Sequence, residues 1–444
     1  MKIFLVSLGC DKNRVDSEEM LGLLGAAGFS FTDDEYEADI IIVNTCCFID
    51  DAKMESIDTI LEMAEYKEIG KCKYLFVAGC LSERYRDEIM VQFPEVDDYI
   101  GTGDLKQILP VIRNKIEQDE TEAIKQILPL SEIHSSGRVI TTPGHYEFLK
   151  IAEGCNKRCT YCIIPYIRGN YRSYPMEKIL QEAQELADKG VSEIILVAQE
   201  TSIYGKDLYK EEKLPQLLKE LALIEGIRWI RVLYCYPEDI SDEFLEVMAA
   251  EPKICKYIDM PIQHASDKIL KRMGRRTNHE DLVNIISKAR AMVPGIALRT
   301  TLITGFPGET EDDFQILMDF VKESRFDRLG VFAYSQEEGT PAYSFEDQID
   351  EETKNSRKDE IMSIQELISY ENLAQRIGEV FDVLVDGYLS EEDVYVGRTY
   401  MDAPDVDGAF FFRSDRELMS GTHVNCIVTN VSDYDLYGEL VEEE

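Results

Sequence analysis

Strand-like and helix-like segments alternate twice along this 444-residue chain, and that alternation restricts its fold more than any other feature. In residues 1–125, KIFLVSLGC, ADIIIVNTC and KYLFVAGC read as buried strands. DSEEMLGLLGAAGF and AKMESIDTILEMAEY lie between them with apolar residues at helical spacing. The series restarts at Tyr146 with six strands: YEFLKIAE, VSEIILVAQ, IRWIRVLYC, ICKYIDMPI, GIALRTTLITG and RLGVFAYS. Amphipathic helices such as MEKILQEAQELADKG separate most of them. Strands joined through helices pair in parallel, and parallel sheets are covered on both faces. Six strand–helix units are two short of a closed eightfold barrel, which predicts an open, partial (β/α)6 barrel.

Residues 105–140 are polar, carry no strong strand, and read as a helix and a linker; 350–378 read as one long polar helix. Beyond 379, VFDVLVDGYL, VYVGRTYMD, GAFFFR and HVNCIVTNV alternate and are broken by Asp, Gly and Pro, as in a small antiparallel barrel. The expectation is a multidomain α/β chain: a parallel α/β sheet domain over 1–125, the partial barrel over 141–370 and a small antiparallel β-barrel over 373–441.

The chain carries 47 Lys and Arg against 86 Asp and Glu, a formal charge of −39. That excess argues against a protein built to grip phosphate backbones and suits a basic partner. Residues 371–444 alone hold 4 basic and 18 acidic side chains. The start, MKIFLVSLGCDKN, has a short apolar run ending in charge and reads as a strand, not a signal peptide. No stretch approaches the ~18 apolar residues of a spanning helix. A cytoplasmic, membrane-free monomer is expected. The eleven cysteines are an odd number, which points to reduced thiols with some free to bind metal.

Two groups of cysteines stand out. Cys155, Cys159 and Cys162 form a C-x3-C-x2-C loop after the first strand of the second series, at the end where a barrel places its chemistry. Three thiolates this close can hold three irons of a cubane and leave the fourth open. A zinc loop, which wants four closed ligands, and accidental clustering are the alternatives. Cys10, Cys46 and Cys80 each end one of the three N-terminal strands. In an open parallel sheet those ends share one edge, where ligands bind. The alternative is that all three are small buried residues. Cys47 neighbours Cys46, but successive strand residues face opposite ways, and the position in the repeat selects Cys46. Cys72, Cys235, Cys255 and Cys426 have no partners at ligand spacing and read as packing or surface residues.

In order, SLGCDKNRVDSE, VNTC, AGC, GCNKRCTYCIIPYIRG and GFPGETEDDF resemble the methylthiotransferases of the radical S-adenosylmethionine (SAM) enzymes over nearly the whole chain. The resemblance implies an auxiliary 4Fe-4S cluster on Cys10, Cys46 and Cys80, a radical-SAM 4Fe-4S cluster on Cys155, Cys159 and Cys162, and a C-terminal TRAM domain. It implies SAM as a further cofactor, and an electron donor and a sulfur donor as partners. One SAM methylates a sulfur carried on the auxiliary cluster; a second yields the 5′-deoxyadenosyl radical that opens a carbon–hydrogen bond. Gln199 and Glu200 match the positions that contact the methionine part of SAM. Tyr161 is a candidate for adenine, Arg299 for the SAM carboxylate, and Gly305 for close backbone approach to a ligand. Ordinary strand-end polarity and turn chemistry are the alternatives for each. Arg168 and Arg172 are open between cofactor, substrate and surface roles.

Two branches of the family differ in substrate. PIQHASD, residues 261–267, is similar to the protein-modifying branch (the RimO family), whereas the tRNA branch usually has a QSGS-like run there. His264 serves only as a marker of the branch. The acidic C-terminal segment agrees, since a tRNA-binding barrel wants a basic face. The expected reaction is methylthiolation of the β-carbon of an aspartate in small-subunit ribosomal protein number twelve, free or in the small ribosomal subunit, giving 3-methylthioaspartate. A tRNA adenosine methylthiotransferase and an iron–sulfur electron-transfer module without radical chemistry are the alternatives.

Overall fold

The run Ile40–Val43 offers no polar face to water, so a strand built from it must be covered on both sides. In the computed structural model, described over residues 1–119, 127–128, 133 and 137–441, it lies at the centre of a parallel sheet. The strands are β1 (Lys2–Ser7), β2 (Ser30–Phe31), β3 (Ile40–Thr45), β4 (Tyr74–Gly79) and β5 (Asp98–Ile100), in the order β2-β1-β3-β4-β5. The two edge strands were not expected, being too short to show a hydrophobic period. Helix α1 (Asp11–Ala26) follows β1, and the Asp50–Ile69 helix follows β3. The helix expected in 105–140 is Ile108–Asp119. Most of the rest of that stretch, including the expected boundary at 125, lies outside the described residues.

All six strands expected in the second series form: β6 (Tyr146–Lys150), β9 (Glu193–Val197), β10 (Trp229–Val232), β11 (Ile254–Asp259), β12 (Ala297–Thr304) and β13 (Arg328–Ala333). They make an open parallel sheet in sequential order. Two short strands, β7 (Ala152–Glu153) and β8 (Arg172–Ser173), pair antiparallel at the two ends of the C-x3-C-x2-C segment. The Glu351–Ala374 helix is the long polar one, packed on β13.

The last domain is a closed barrel of β14 (Val380–Leu389), β15 (Val394–Arg398), β16 (Phe410–Arg413), β17 (His423–Val431) and β18 (Leu436–Leu440). The sequence pattern indicates four of these strands. β18 is half exposed and carries a central glycine, and it is specified by closure against β16 and β17 more than by its own pattern.

Alternation along the six-stranded sheet decides where that barrel sits. Leu149, Ile194, Leu196, Ile230, Ile258 and Leu298 face the helices. Their neighbours Phe148, Ile195, Val197, Trp229, Tyr257 and Ala297 face the other way and pack with Val383, Val385, Phe410 and Phe412 of the C-terminal barrel. Buried charges pair across this contact: Glu193 holds Arg231 Nε at 2.8 Å and Arg398 Nη1 at 2.7 Å.

Helix α1 lies between the first sheet and β6, so its polar side is buried as well as its apolar side. Glu18 pairs with Arg138, and Asp16 with Lys150 and Arg168. These pairs tie the first domain to the second. Among the described residues no helix is long and apolar enough to cross a membrane.

Candidate functional site

The first three-cysteine group is assembled by the ends of β1, β3 and β4. Cys10 N-caps α1, Cys46 directly follows β3, and Cys80 directly follows β4. Gly9, at φ +86°, lets the first strand end approach the second: a Cβ there would lie 2.7 Å from Cys46 Cβ and 2.9 Å from its Sγ. Asn13 joins all three ends. Its Nδ2 donates to the carbonyls of Leu8 and Thr45, both at 2.9 Å, and its Oδ1 is 3.8 Å from Cys80 Sγ. Cys10 lies within electrostatic reach of both Cys46 and Cys80. Cys47 instead packs in the core with Ile41, Val43 and Ile60. Burial pushes the thiols of Cys46 and Cys80 up, and the Arg168 guanidinium draws both part of the way back.

The second group is held by the loop after β7. Cys155 N–H donates to Gly169 O at 3.1 Å, and Thr160 N–H to Met273 O at 2.9 Å. Lys157 N–H points at Cys155 Sγ, 3.4 Å away, and Tyr236 Oη is 4.0 Å from Cys159 Sγ. The three thiols lie within electrostatic reach of one another, and burial pushes Cys155 up to about 11. All eleven cysteines are free thiols. Cys235, Cys255 and Cys426 are buried in the cores, and Cys72 is buried with its thiol on Tyr74 O at 3.4 Å.

Unsatisfied polar atoms collect beside this loop. Glu200 is fully buried; burial pushes its carboxyl up to about 8 against the pull of Lys157, which is 3.3 Å from Oε2. Neither Glu200 oxygen has an aligned hydrogen bond, and Gln199 Oε1 has none either. Gln199 Nε2 donates to Glu153 at 2.8 Å. The Arg275 guanidinium lies over the Tyr236 ring at 4.3 Å and donates to Pro261 O at 2.9 Å, leaving Nε and Nη1 without partners. Tyr161 packs edge-on against Phe306, within electrostatic reach of Cys159 and Arg275.

Two expected SAM contacts are engaged elsewhere. Arg299 Nη1 is 2.8 Å from Asp259 and its Nε 3.3 Å from Asp407 of the C-terminal barrel, so it already carries two carboxylates. Gly305 is at φ +68°, and a Cβ there would collide with the Lys354 side chain, so its backbone closely approaches the Glu351–Ala374 helix. Arg168 is buried, and Arg172 is exposed. His264 is buried; its Nδ1 accepts from the N–H groups of Ala265 and Ser266 at 2.9 Å, which puts its proton on Nε2, 3.3 Å from Glu309. Arg275, Lys157 and Tyr236 had no sequence signal beyond ordinary surface composition.

Family models match in chain order: "Uncharacterized protein family UPF0004" over residues 2–101, "Radical SAM superfamily" over 149–321 and "TRAM domain" over 377–441. The chain is 56% identical to a ribosomal protein uS12 methylthiotransferase RimO of Lachnoclostridium phytofermentans, over 99% of each chain. It is 52% identical to the RimO of Acetivibrio thermocellus, over 100% of this chain and 99% of that one. The chain belongs to the RimO family of radical-SAM methylthiotransferases. Among solved structures, the radical SAM methyltransferase TsrM of Kitasatospora setae aligns with a TM-score of 0.54 at 15% identity, over 77% of this chain and 76% of that one. At that identity the likeness shows the fold alone.

Membership of the radical SAM superfamily implies SAM and a 4Fe-4S cluster. The donor set at Cys155, Cys159 and Cys162 fits: three thiols, with no fourth cysteine in the loop, suit a cubane that keeps one iron open for a ligand. Among the described residues no three His, Cys, Asp or Glu side chains converge as a single ion requires. A cubane is wider than one ion, and its thiolates need only face its corners. The atoms of Gln199, Glu200 and Arg275 that lack aligned hydrogen bonds are the complement expected of a site for the charged end of SAM.

Proposed function

We propose that this RimO-family chain inserts a methylthio group at the β-carbon of an aspartate in small-subunit ribosomal protein uS12, giving 3-methylthioaspartate. The observation that carries the reading is the pair of three-thiol sites. Cys10, Cys46 and Cys80 meet on one sheet edge, and Arg168 connects that edge to the domain bearing Cys155, Cys159 and Cys162. Each set is assigned a 4Fe-4S cluster. When bound, the clusters supply reductive cleavage of SAM at the second set and carry the transferred sulfur at the first.

The remaining roles belong to side chains. Glu200 and Gln199 offer acceptors to the SAM amino group. Arg275, not Arg299, offers unpartnered N–H groups, at Nε and Nη1, for its carboxylate. Tyr161 lies where it can bound the adenosyl part. Arg168 Nη2, 3.6 Å from Cys80 Sγ, donates toward that thiolate and fixes the first set against the second domain. The C-terminal barrel packs on one face of the six-stranded sheet, against β6, β9, β10, β11 and the start of β12, and excludes water from that contact.

The relatives' names and the acidic C-terminal segment favour uS12 over tRNA, because a basic ribosomal protein complements a surface that repels phosphate. The enzyme works as a monomer in the cytoplasm, supplied by an electron donor and a sulfur donor. The test is anaerobic reconstitution with SAM, reductant and uS12, read by mass spectrometry. Wild type yields 5′-deoxyadenosine and one methylthiolated aspartate. Cys46→Ala yields 5′-deoxyadenosine without that product. Product from Cys46→Ala overturns the two-site reading, and modified tRNA adenosine in place of modified uS12 overturns the substrate.

A further inference from the structure

Lys12 is buried at 7% exposure, two residues after Cys10, and among the described residues it meets no carboxylate at ion-pair distance. It lies over the face of Tyr234, with the ammonium 3.5 Å from the ring centroid. Other cations of these two domains are committed to carboxylates: Arg14 to Asp405, Lys150 and Arg168 to Asp16 and Glu153, and Lys157 to Glu200 and Glu238. The adjacent acid, Asp11, accepts from the Tyr234 hydroxyl at 3.1 Å and is thereby turned to the tyrosine.

Tyr234 is itself held in an uncommon backbone conformation, φ +62°. Its N–H donates to Asp259 at 3.1 Å, and its carbonyl accepts from Thr201 N–H at 3.0 Å. Such strain in a non-glycine residue persists only where the surroundings impose it, and it clusters at functional sites. Tyr234 stands just past the C-terminal end of β10, on the rim where a parallel barrel binds ligands. Lys12 comes from the cysteine edge of the first domain. The two residues therefore meet where both rims meet.

An ammonium at the end of a buried side chain, set over a ring and, among the described residues, without a carboxylate at ion-pair distance, is short of a counter-charge. Two species in the proposed reaction carry a carboxylate: SAM and the acceptor aspartate. The guanidinium with free N–H groups beside the SAM loop is that of Arg275, at Nε and Nη1, whereas Lys12 belongs to the Cys10 side. In aspartate the β-carbon is bonded directly to the carboxylate carbon, so gripping that group places the reacting carbon one bond away. Resting on the uS12 reading above, we propose that Lys12 binds the side-chain carboxylate of the acceptor aspartate, with Tyr234 fixing the ammonium, and that this contact selects a carboxylate-bearing acceptor.

The experiment uses anaerobically reconstituted holoenzyme and purified uS12, with its target residue as Asp or Asn. Wild type on the Asn acceptor loses about ten- to a hundredfold in methylthiolation efficiency, the range of one lost charged hydrogen bond. Lys12→Met loses a similar factor on the Asp acceptor, through KM for uS12 and not for SAM. It retains wild-type iron content and cluster EPR spectra, and discriminates little between Asp and Asn. Lys12→Arg restores part of the loss. Undiminished efficiency of Lys12→Met on the Asp acceptor, equal use of Asn and Asp by wild type, or a change confined to KM for SAM overturns the assignment. If Lys12→Met fails to hold iron, the Asn acceptor with wild type decides. Wild type that leaves Asp-bearing uS12 unmodified overturns the substrate reading, and the Lys12 assignment with it.

Discussion

Arg168→Met should loosen the joint between the first two domains. Four charges meet there: Arg168 and Lys150 against Asp16 and Glu153. All four side chains are no more than 7% exposed, and their charges cancel. Arg168 Nη1 reaches Asp16 at 2.8 Å and Glu153 at 3.3 Å, while Nη2 reaches Asn13 and Cys80. Removing the guanidinium leaves one buried carboxylate charge uncompensated, a change that costs about 3–5 kcal/mol. Arg168→Lys keeps the charge but cannot serve both sets of partners; the loss there is about 1.5–3 kcal/mol. The assay is amide hydrogen exchange of α1, whose protection reports opening of this joint. At about 1.4 kcal/mol per tenfold, Arg168→Met should speed exchange by more than roughly a hundredfold, with Arg168→Lys in between. Exchange in Arg168→Met within about tenfold of wild type would show that water already reaches these charges, and would refute the reasoning.

Two further outcomes follow from the same geometry. Arg275→Met should raise KM for SAM by about ten- to a hundredfold, while Arg299→Met weakens the seating of the C-terminal barrel and leaves KM for SAM near wild type; the reverse pattern, measured by steady-state kinetics, would restore Arg299 as the SAM contact. Burial alone would push Glu153 up, but Lys150 and Arg168 outweigh it and hold the carboxyl down at about 2. A depressed carboxylate stabilises the fold fully above its ordinary value of 4.5 and loses that contribution as pH falls toward 2. The wild-type melting temperature should therefore drop more steeply than that of Glu153→Gln across that window, and parallel curves would contradict it.

The two linear series of strands and helices were legible because each parallel strand is buried on both faces and must announce itself as an apolar run. Ile40–Val43 and Ile194–Val197 do so without ambiguity. Edge strands β2 and β5 and the closing strand β18 were not, since each is short or half exposed and depends on a neighbour for its conformation. The strand-end cysteines were legible for a geometrical reason: parallel strands end on one rim, so residues far apart in the chain converge. That argument places backbone ends and says nothing of which cation finds which carboxylate.

Sequence by itself determined the order of three folding units and the strand-end placement of Cys10, Cys46 and Cys80, because strand period and strand polarity are local properties of the chain. Tertiary structure decided the charges. Arg299, promising in isolation, is neutralised by an aspartate of its own domain and another more than a hundred residues away. Arg168 turns out to be the joint between domains, and among the described residues neither Lys12 nor Arg275 has a carboxylate at ion-pair distance. Ion pairing acts through space over a few ångströms, and no reading along the chain can assign those distances before the domains are packed.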